Sequence, residues 1–211
     1  MKKNLFIIGK GKQSDLIQGD KFFVKKYKNI FCENVNNLKI LEKILIKLNI
    51  KEFNKTEFII AIGNNYLREK LSKIFIKKIP NINWATYISK SSVIKEKVII
   101  SSGSMIMENV FINKNTIVKK HVLINSGSTI EHDNLFEEFS SCGPGTITGG
   151  EVYIGKKTFL GLGSKIKNKI TIKQNTIIGM GSVIINNCKN DSIYFGNPAK
   201  YIKKNTRKSH F

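Results

Sequence analysis

From residue 88 onward, apolar and small residues recur with a period of six. Stepping by six from Ile88 to Ile184 meets 17 positions, of which 14 are Ile, Leu or Val. The position four residues further on is Ser, Thr or Val in 14 of 16 hexads. The three exceptions to the aliphatic position are consecutive, at Phe136, Cys142 and Thr148. A period of six fits neither an α-helix nor a free strand, but it is typical of a parallel β-helix built from hexapeptides.

The same phase predicts where individual side chains point. The aliphatic position should face inward, so Cys142 should be buried and a poor nucleophile. His121 occupies the fourth place of its hexad, where we expect an outward-facing surface residue. Glycine directly follows the inward position in several hexads, and we predict turn conformations that other residues resist. These glycines are Gly143, Gly155, Gly161 and Gly179.

The first 84 residues carry a different pattern, that of a small parallel α/β domain. Apolar runs predict strands, and apolar residues at helical spacing predict helices. The strands are expected at Leu5–Ile8, Asn29–Cys32 and Glu57–Gly63, and the helices at Asn37–Leu48 and Asn65–Ile76. We therefore divide the chain into an α/β domain (1–84), a β-helix (85–195) and a C-terminal tail (196–211).

A glycine-containing loop follows the first predicted strand. Gly9 and Gly11 match the first two glycines of a GxGxxG phosphate-binding turn, whereas Ser14 replaces the third. Alone, this fragment also fits a tight strand-to-helix turn. Glu33, 24 residues after Gly9, stands where an acidic residue contacts a ribose in nucleotide-binding folds. Since Gly63 ends the third predicted strand, three loops should converge at one edge of the sheet, where open parallel sheets bind ligands.

Composition narrows the function classes. Hydrophobic residues make up 41% and charged residues 24% of the 211 residues, which excludes a disordered chain. No apolar run approaches the ~20 residues that span a bilayer, so we expect a cytoplasmic protein without stable membrane insertion. The net charge of +21 would suit nucleic acid, but 34 of the 36 basic residues are lysine. Because nucleic-acid readers favour arginine, we do not expect a nucleic-acid partner.

His132 is the residue that best fits acid–base chemistry. It lies between two carboxylates, Glu131 and Asp133, and an adjacent carboxylate can fix the tautomer of an imidazole and raise its basicity. That arrangement suits a general base near neutral pH. On chemistry alone, an exposed histidine between two acids fits the residues equally well. His210, near the chain end, is expected to be a solvated residue.

Several motifs together resemble the NeuD/PglD family of sugar acetyltransferases, a branch of the hexapeptide-repeat acyltransferases. They are the tandem hexads, the Gly9/Gly11 turn, and the segments AIGNNYLREK (61–70), NSGSTIEHDNLFEEFSS (125–141) and GNPAKYIKK (196–204). The resemblance covers nearly the whole chain. It implies a Rossmann-like domain that binds a nucleotide-sugar, then a left-handed β-helix of 18 residues per coil. It also implies a homotrimer, with acetyl-CoA as co-substrate. The active sites would lie in clefts between the β-helices of neighbouring subunits, each of which is a three-sided prism.

The resemblance also assigns residues. His132 matches the family's catalytic base, and Asp133 matches the acidic neighbour that increases its basicity. The acetyl-CoA contacts fall on Asn125, Ser141, Leu162 and Met180. The nucleotide-sugar contacts fall on Gly11, Lys12, Gln13, Glu33, Asn34 and Gly63. Two positions depart from the family: Lys12 and Gln13 replace Gly and His in the first loop, and Ser141 replaces a histidine that many members carry.

The resemblance therefore predicts N-acetylation of a nucleotide-linked amino sugar for surface glycan biosynthesis. O-acetylation of sialic acid, the other branch of the family, is the close alternative, since the sequence does not separate amine from hydroxyl acceptors. A non-catalytic β-helix scaffold is the alternative of another class. No metal is implied: a β-helical carbonic anhydrase needs three histidines, and the hexad region has two.

Overall fold

A computed structural model describes residues 2–34 and 54–206 of the chain. The predicted helix at Asn37–Leu48 and His210 lie outside these residues. The helices are α1 (Lys12–Gly19), α2 (Lys21–Val24) and α3 (Asn65–Lys78). The longer strands are β1 (Asn4–Ile8), β2 (Ile30–Glu33), β3 (Thr56–Ile60), β22 (Ser192–Gly196) and β23 (Ala199–Lys204). In the described ranges, no helix is both long and apolar enough to cross a bilayer.

The remaining strands have two residues each, and all but the first follow one another every six residues. They are β4 (Asn83–Trp84), β5 (Tyr87–Ile88), β6 (Val93–Ile94), β7 (Ile99–Ile100), β8 (Met105–Ile106), β9 (Phe111–Ile112), β10 (Ile117–Val118), β11 (Leu123–Ile124), β12 (Thr129–Ile130), β13 (Leu135–Phe136), β14 (Ser141–Cys142), β15 (Ile147–Thr148), β16 (Tyr153–Ile154), β17 (Phe159–Leu160), β18 (Lys165–Ile166), β19 (Thr171–Ile172), β20 (Ile177–Ile178) and β21 (Val183–Ile184).

The front of the chain forms a four-stranded parallel sheet in the order β2-β1-β3-β4. Strands β1 and β3 are almost wholly buried because apolar clusters cover both faces of the sheet. The predicted parallel α/β arrangement is therefore present in the described residues. The third strand ends at Ile60, three residues earlier than the apolar run suggested.

Strands β5–β21 form a left-handed parallel β-helix of three strands per coil, which confirms the hexad prediction. Residues 18 apart pair in register on neighbouring coils, as Thr129 does with Ile147. Face 1 carries β5, β8, β11, β14, β17 and β20, continued by β22 and β23. Face 2 carries β6, β9, β12, β15, β18 and β21, and face 3 carries β7, β10, β13, β16 and β19. We call the turns between them edge 1–2 (for example 125–128), edge 2–3 (131–134) and edge 3–1 (137–140).

The inward positions form the solenoid core. From Ile106 to Ile184 every predicted inward residue is buried. In the first coil the same positions are more exposed, and Ile88 is 40% exposed, because no coil lies beneath it. Phe136, Cys142 and Thr148 occupy consecutive inward positions of the three faces, so one large ring is matched by two small side chains in the same stretch of core.

The turns show why glycine occurs where it does. Fifteen residues spaced by six from Lys97 to Gly181 have φ between +54° and +78°, but only five of them are glycine. The glycines that follow the inward position do not have positive φ, so the predicted reason for them is wrong. They are required by close approach: a Cβ on Gly161 would lie 2.6 Å from the backbone nitrogen of Met180 in the next coil.

The front sheet packs against face 1 at the start of the solenoid. Tyr87, Met105 and Leu123 point outward from this face, yet each is at most 2% exposed because apolar residues of β1, α1 and β3 cover them. Helix α3 covers the adjoining edge 3–1. The two parts of the chain thus share a continuous packed junction.

The junction corrects the prediction for His121, which is 2% exposed rather than a surface residue. The ring does point away from the solenoid core, but it stacks on the Phe139 ring with 5.0 Å between centroids and forms a T-shaped pair with the Trp84 ring, whose centroid is 4.7 Å away. Its Nε2 lies 3.1 Å from the Ser72 hydroxyl. Hexad phase gives the direction of a side chain and carries no information about a layer that packs on top of it.

Candidate functional site

His132 and Asp133 form a hydrogen-bonded pair on edge 2–3. His132 Nδ1 lies 2.7 Å from Asp133 Oδ2, and each side chain is 43% exposed. The other flanking carboxylate, Glu131, accepts instead from Asn113 Nδ2 at 2.7 Å. The structure therefore brings together the two residues that the sequence singled out and separates Glu131 from them.

The pair is held in place by residues one coil away. Asn115, 18 residues before Asp133, donates to Asp133 Oδ1 at 3.0 Å. Gly150, 18 residues after His132, leaves room for the ring, since a Cβ there would lie 2.6 Å from His132 Nε2. Asn134 pins the turn by donating to the carbonyl of Gly149 at 3.0 Å. Sequence reasoning missed these residues, although the 18-residue coil spacing could have identified the first two.

The hydrogen bonds determine the state of the pair. The bond from His132, followed by the bond from Asn115, holds the pKa of Asp133 below its ordinary value. Asp133 is thus a carboxylate at neutral pH and only accepts, so Nδ1 of neutral His132 carries the proton. No described residue forms a hydrogen bond with Nε2, whose lone pair is free to take a proton. This is the arrangement of an oriented general base.

Three predicted coenzyme residues lie on a different edge of the prism. Asn125, Leu162 and Met180 occupy stacked turns of edge 1–2, and Leu162 and Met180 are 55% and 64% exposed. Phe195 of β22 packs over the turn at Gly179 and adds another exposed ring. This edge presents an apolar strip of accessible side chains. Within one chain it is separated from His132, because edges 1–2 and 2–3 are distinct corners.

The structure places Ser141 elsewhere. Its side chain points outward from face 1 but is 1% exposed beneath α3, and its hydroxyl donates to Asn65 Oδ1 at 2.7 Å. A residue that contacts acetyl-CoA must have free surface, and Ser141 has none in the described structure. We therefore leave Ser141 out of the coenzyme site that is proposed below.

The loops at the carboxyl edge of the front sheet converge. The Gly9 amide donates to the Glu33 carbonyl at 2.8 Å, and Lys10 Nζ lies 3.2 Å from Glu33 Oε2. The Gln13 side chain lies against Gly63, 3.4 Å from where a Cβ on Gly63 would stand. Gly11, Lys12, Gln13, Glu33 and Gly63 are thus neighbours at one sheet edge, and Asn34 follows directly after β2.

Ser14 explains the altered glycine motif. Its hydroxyl donates to the Gly11 carbonyl at 2.6 Å and accepts from the Gly11 amide at 3.0 Å, while its side chain is fully buried. The serine therefore closes the turn through its own side chain. Gly11 is the N-cap of α1, so the first amides of that helix point to the same edge.

The structure also bears on two other kinds of chemistry, a cysteine nucleophile and a metal site. Cys142 is 1% exposed, and burial raises the pKa of its thiol to about 11, which confirms an inward residue that is a poor nucleophile. Among residues 2–34 and 54–206, no group of three or more His, Cys, Asp or Glu side chains is arranged to hold a metal ion.

Several solved structures share this architecture. The acetyltransferase domain of PglB from Neisseria gonorrhoeae matches with a TM-score of 0.84 at 21% identity, over 95% of this chain and 100% of that one. A variant of perosamine N-acetyltransferase from Caulobacter crescentus, in complex with CoA and GDP-perosamine, matches with a TM-score of 0.82 at 23% identity. The match covers 95% of this chain and 97% of that one. WeeI from Acinetobacter baumannii matches with a TM-score of 0.71 at 20% identity, over 94% of this chain and 99% of that one. No protein-family model matches the chain. At these identities the similarity shows that the chain shares their fold over nearly its full length.

Proposed function

We propose that this protein is an acetyltransferase that moves the acetyl group of acetyl-CoA to the amine of a nucleotide-linked sugar. The observation that carries the proposal is the His132–Asp133 pair with its free Nε2. The structural neighbours support it: one is described in complex with acetyl coenzyme A, and another in complex with CoA and GDP-perosamine. The motifs of the NeuD/PglD family, on which the sequence prediction rests, point to the same reaction.

In the proposed reaction His132 removes a proton from the sugar amine while the nitrogen attacks the thioester carbonyl. The tetrahedral intermediate then collapses, the C–S bond breaks, and the CoA thiolate takes up a proton. Asp133 orients the ring and stabilises the imidazolium that forms. General-base catalysis of this kind contributes on the order of 10²–10⁴ in rate. Cys142 is buried, so transfer is proposed to be direct, without an acetyl-enzyme.

The proposed active site is shared between chains of a homotrimer. His132 and the coenzyme residues Asn125, Leu162 and Met180 lie on different edges of one prism, so a second copy is needed to bring such edges together. Face 3 offers a surface for this contact: Ile99 and Tyr153 point outward from it and are 58% and 36% exposed. Such a ladder of apolar residues on a sheet face is typical of an interface.

The nucleotide is proposed to bind the front domain, in the manner of a Rossmann-like fold. The converging loops with Gly11, Gln13 and Gly63 lie at the carboxyl edge of its parallel sheet, the usual ligand edge. Lys12 and the N-terminus of α1 suit a diphosphate. Glu33 and Asn34 are proposed to meet the ribose side of the nucleotide. The Lys10–Glu33 ion pair is largely exposed and can open at little cost.

The test is the release of free thiol from acetyl-CoA with UDP-, GDP- and dTDP-linked amino sugars and with sialic acids, for the wild type and His132→Ala. We expect one acceptor to be turned over, with at least 10²-fold less activity in the variant. Calorimetry with CoA shows whether the variant still binds coenzyme. Turnover that survives the substitution would exclude His132 as the base. Turnover of sialic acids alone would favour O-acetylation, and no turnover together with no CoA binding would favour a scaffold.

A further inference from the structure

Arg68, in the first turn of α3, is a charged side chain buried at the junction of the two parts of the chain. It is 0% exposed. On one side it donates to the solenoid, from Nε to the His121 carbonyl at 2.8 Å and from Nη2 to the carbonyls of Phe139 and Ser140 at 3.2 and 3.3 Å. These carbonyls belong to neighbouring turns of edge 3–1. One guanidinium therefore ties helix α3 to two successive coils.

On its other side the same guanidinium holds the loop after β3. Nη1 donates to the carbonyl of Ile62 at 2.8 Å and to that of Gly63 at 3.0 Å. Gly63 in turn lies against the Gln13 side chain of the first loop. The carbonyls of Ile62 and Gly63 are thus fixed relative to the solenoid by a single side chain.

The charge of Arg68 has no counter-ion among the described residues. Its partners are backbone carbonyls and the Asn65 side-chain oxygen, at 2.8 Å. Burial lowers the pKa of Arg68 to about 9, so it stays charged at neutral pH. A buried cation without a carboxylate is costly, and a neutral residue would avoid that cost. Only a guanidinium, however, presents five N–H donors in a rigid fork that can reach acceptors on both sides.

We propose that Arg68 is a positioning residue that sets the nucleotide-binding edge of the front sheet at a fixed place relative to the solenoid. The inference rests on the proposed function, because it assumes that the 61–64 loop contacts the nucleotide. It implies that nucleotide binding depends on Arg68 and coenzyme binding does not, since Arg68 contacts the solenoid at edge 3–1, whereas Asn125, Leu162 and Met180 lie on edge 1–2. A loop that is no longer held in place must be ordered when the nucleotide binds, and that ordering cost weakens the complex.

The test compares Arg68→Lys and Arg68→Gln with the wild type. Lysine keeps the charge but carries its donors on one nitrogen, so it cannot reach the loop and the coils together. We expect both variants to bind the best of UDP, GDP and dTDP about tenfold more weakly or worse, with Kd for CoA changed less than twofold. The KM for the nucleotide-sugar should rise while kcat changes little.

Ser72→Ala is the matched control. Ser72 lies in the same junction and is 2% exposed, but its hydroxyl contacts His121 and not the loop. This variant should lower the melting temperature without changing the Kd for nucleotide. An Arg68→Lys variant that binds nucleotide like the wild type would overturn the inference and leave the proposed function standing. Equal losses of nucleotide and CoA binding would also overturn it, because they indicate a merely structural role.

If the Arg68 variants do not fold, amide hydrogen exchange of the wild type tests whether Arg68 links the nucleotide-binding loop to the solenoid. Saturation with the bound nucleoside diphosphate should slow exchange of the amides of 62–64 and, across Arg68, of 121 and 139–140. Protection confined to the front loops would overturn the inference. A wild type that binds CoA but none of UDP, GDP or dTDP would overturn both the nucleotide site of the proposed function and the inference.

Discussion

The solenoid and the front sheet place their functional side chains by different rules. In the solenoid, each side chain has neighbours 18 residues away on the coils above and below, as Asn115 and Asp133 do. In the front sheet, Gly11, Glu33 and Gly63 become neighbours only because three strands end at one edge. The first rule follows from spacing alone, whereas the second needs the strand order. Sites in a solenoid can therefore be predicted from sequence to a degree that sites between loops cannot.

Gly161→Val tests the coil rule where we expect the largest effect. A Cβ on Gly161 would lie 2.6 Å from backbone atoms of residues 178–180, and backbone cannot move aside without separating two coils. We expect a loss of about 4 kcal/mol or more in the free energy of unfolding, measured by urea denaturation.

Gly163→Asn, in the same turn, is the control. Gly163 has φ of +66°, and a Cβ added there would meet no atom within 4 Å. Asparagine already occupies the equivalent place at residues 109, 115 and 175. We expect a change below about 1 kcal/mol. If both variants lost the same stability, any side chain added to this turn would be destabilising, and contact with the next coil would not be the specific reason for glycine at residue 161.

Asp133→Asn tests whether the edge 2–3 pair is a catalytic unit. An amide at this position can donate to Nδ1, which would move the proton of His132 to Nε2 and remove the free lone pair. We expect kcat to fall about 10²–10³-fold, with Kd for CoA unchanged. Turnover of the best acceptor and calorimetry with CoA are the two measurements.

Glu131→Gln is its matched control, because Glu131 is the other neighbour of His132 and contacts Asn113 instead. Its kcat should stay within about threefold of the wild type. Equal losses in both variants would mean that the local negative charge, and not the hydrogen bond to Nδ1, supports the reaction.

What could be predicted from the sequence also differs between the solenoid and the elements that pack on it. The hexads predicted the inward residues from Ile106 to Ile184, because repetition supplies both the strand and its neighbours. The charge pattern and the family resemblance singled out His132 and Asp133. Phase could not show that α3 covers edge 3–1, so His121 was expected on the surface. The family resemblance placed Ser141 among the coenzyme contacts, and it could not show that this serine is buried. Arg68 received no role either, since nothing in its local sequence shows that loop and solenoid carbonyls meet around it.

His121 offers the finest test of the junction, through pH. Burial, and then the charge of Arg68, lower the pKa of His121 to about 3, against an ordinary value near 6.5. Below pH 6.5 His121 therefore binds a proton in the unfolded chain but not in the folded chain. The free energy of unfolding consequently falls as the pH falls towards 3. Each pH unit in this window costs about 1.4 kcal/mol from this one group. We expect the wild type to lose about 2 kcal/mol between pH 7 and pH 5, beyond the loss in His121→Asn.

Asparagine suits this comparison because residue 121 has φ of +57°, which asparagine tolerates, and because it does not titrate. The measured quantity is the difference in the free energy of unfolding between the two pH values, so the cavity left by the ring cancels. Parallel pH profiles for the wild type and the variant would mean that water reaches His121 and that the front layer does not seal edge 3–1. A steeper profile for the wild type would instead establish the covering layer that hexad phase alone cannot reveal.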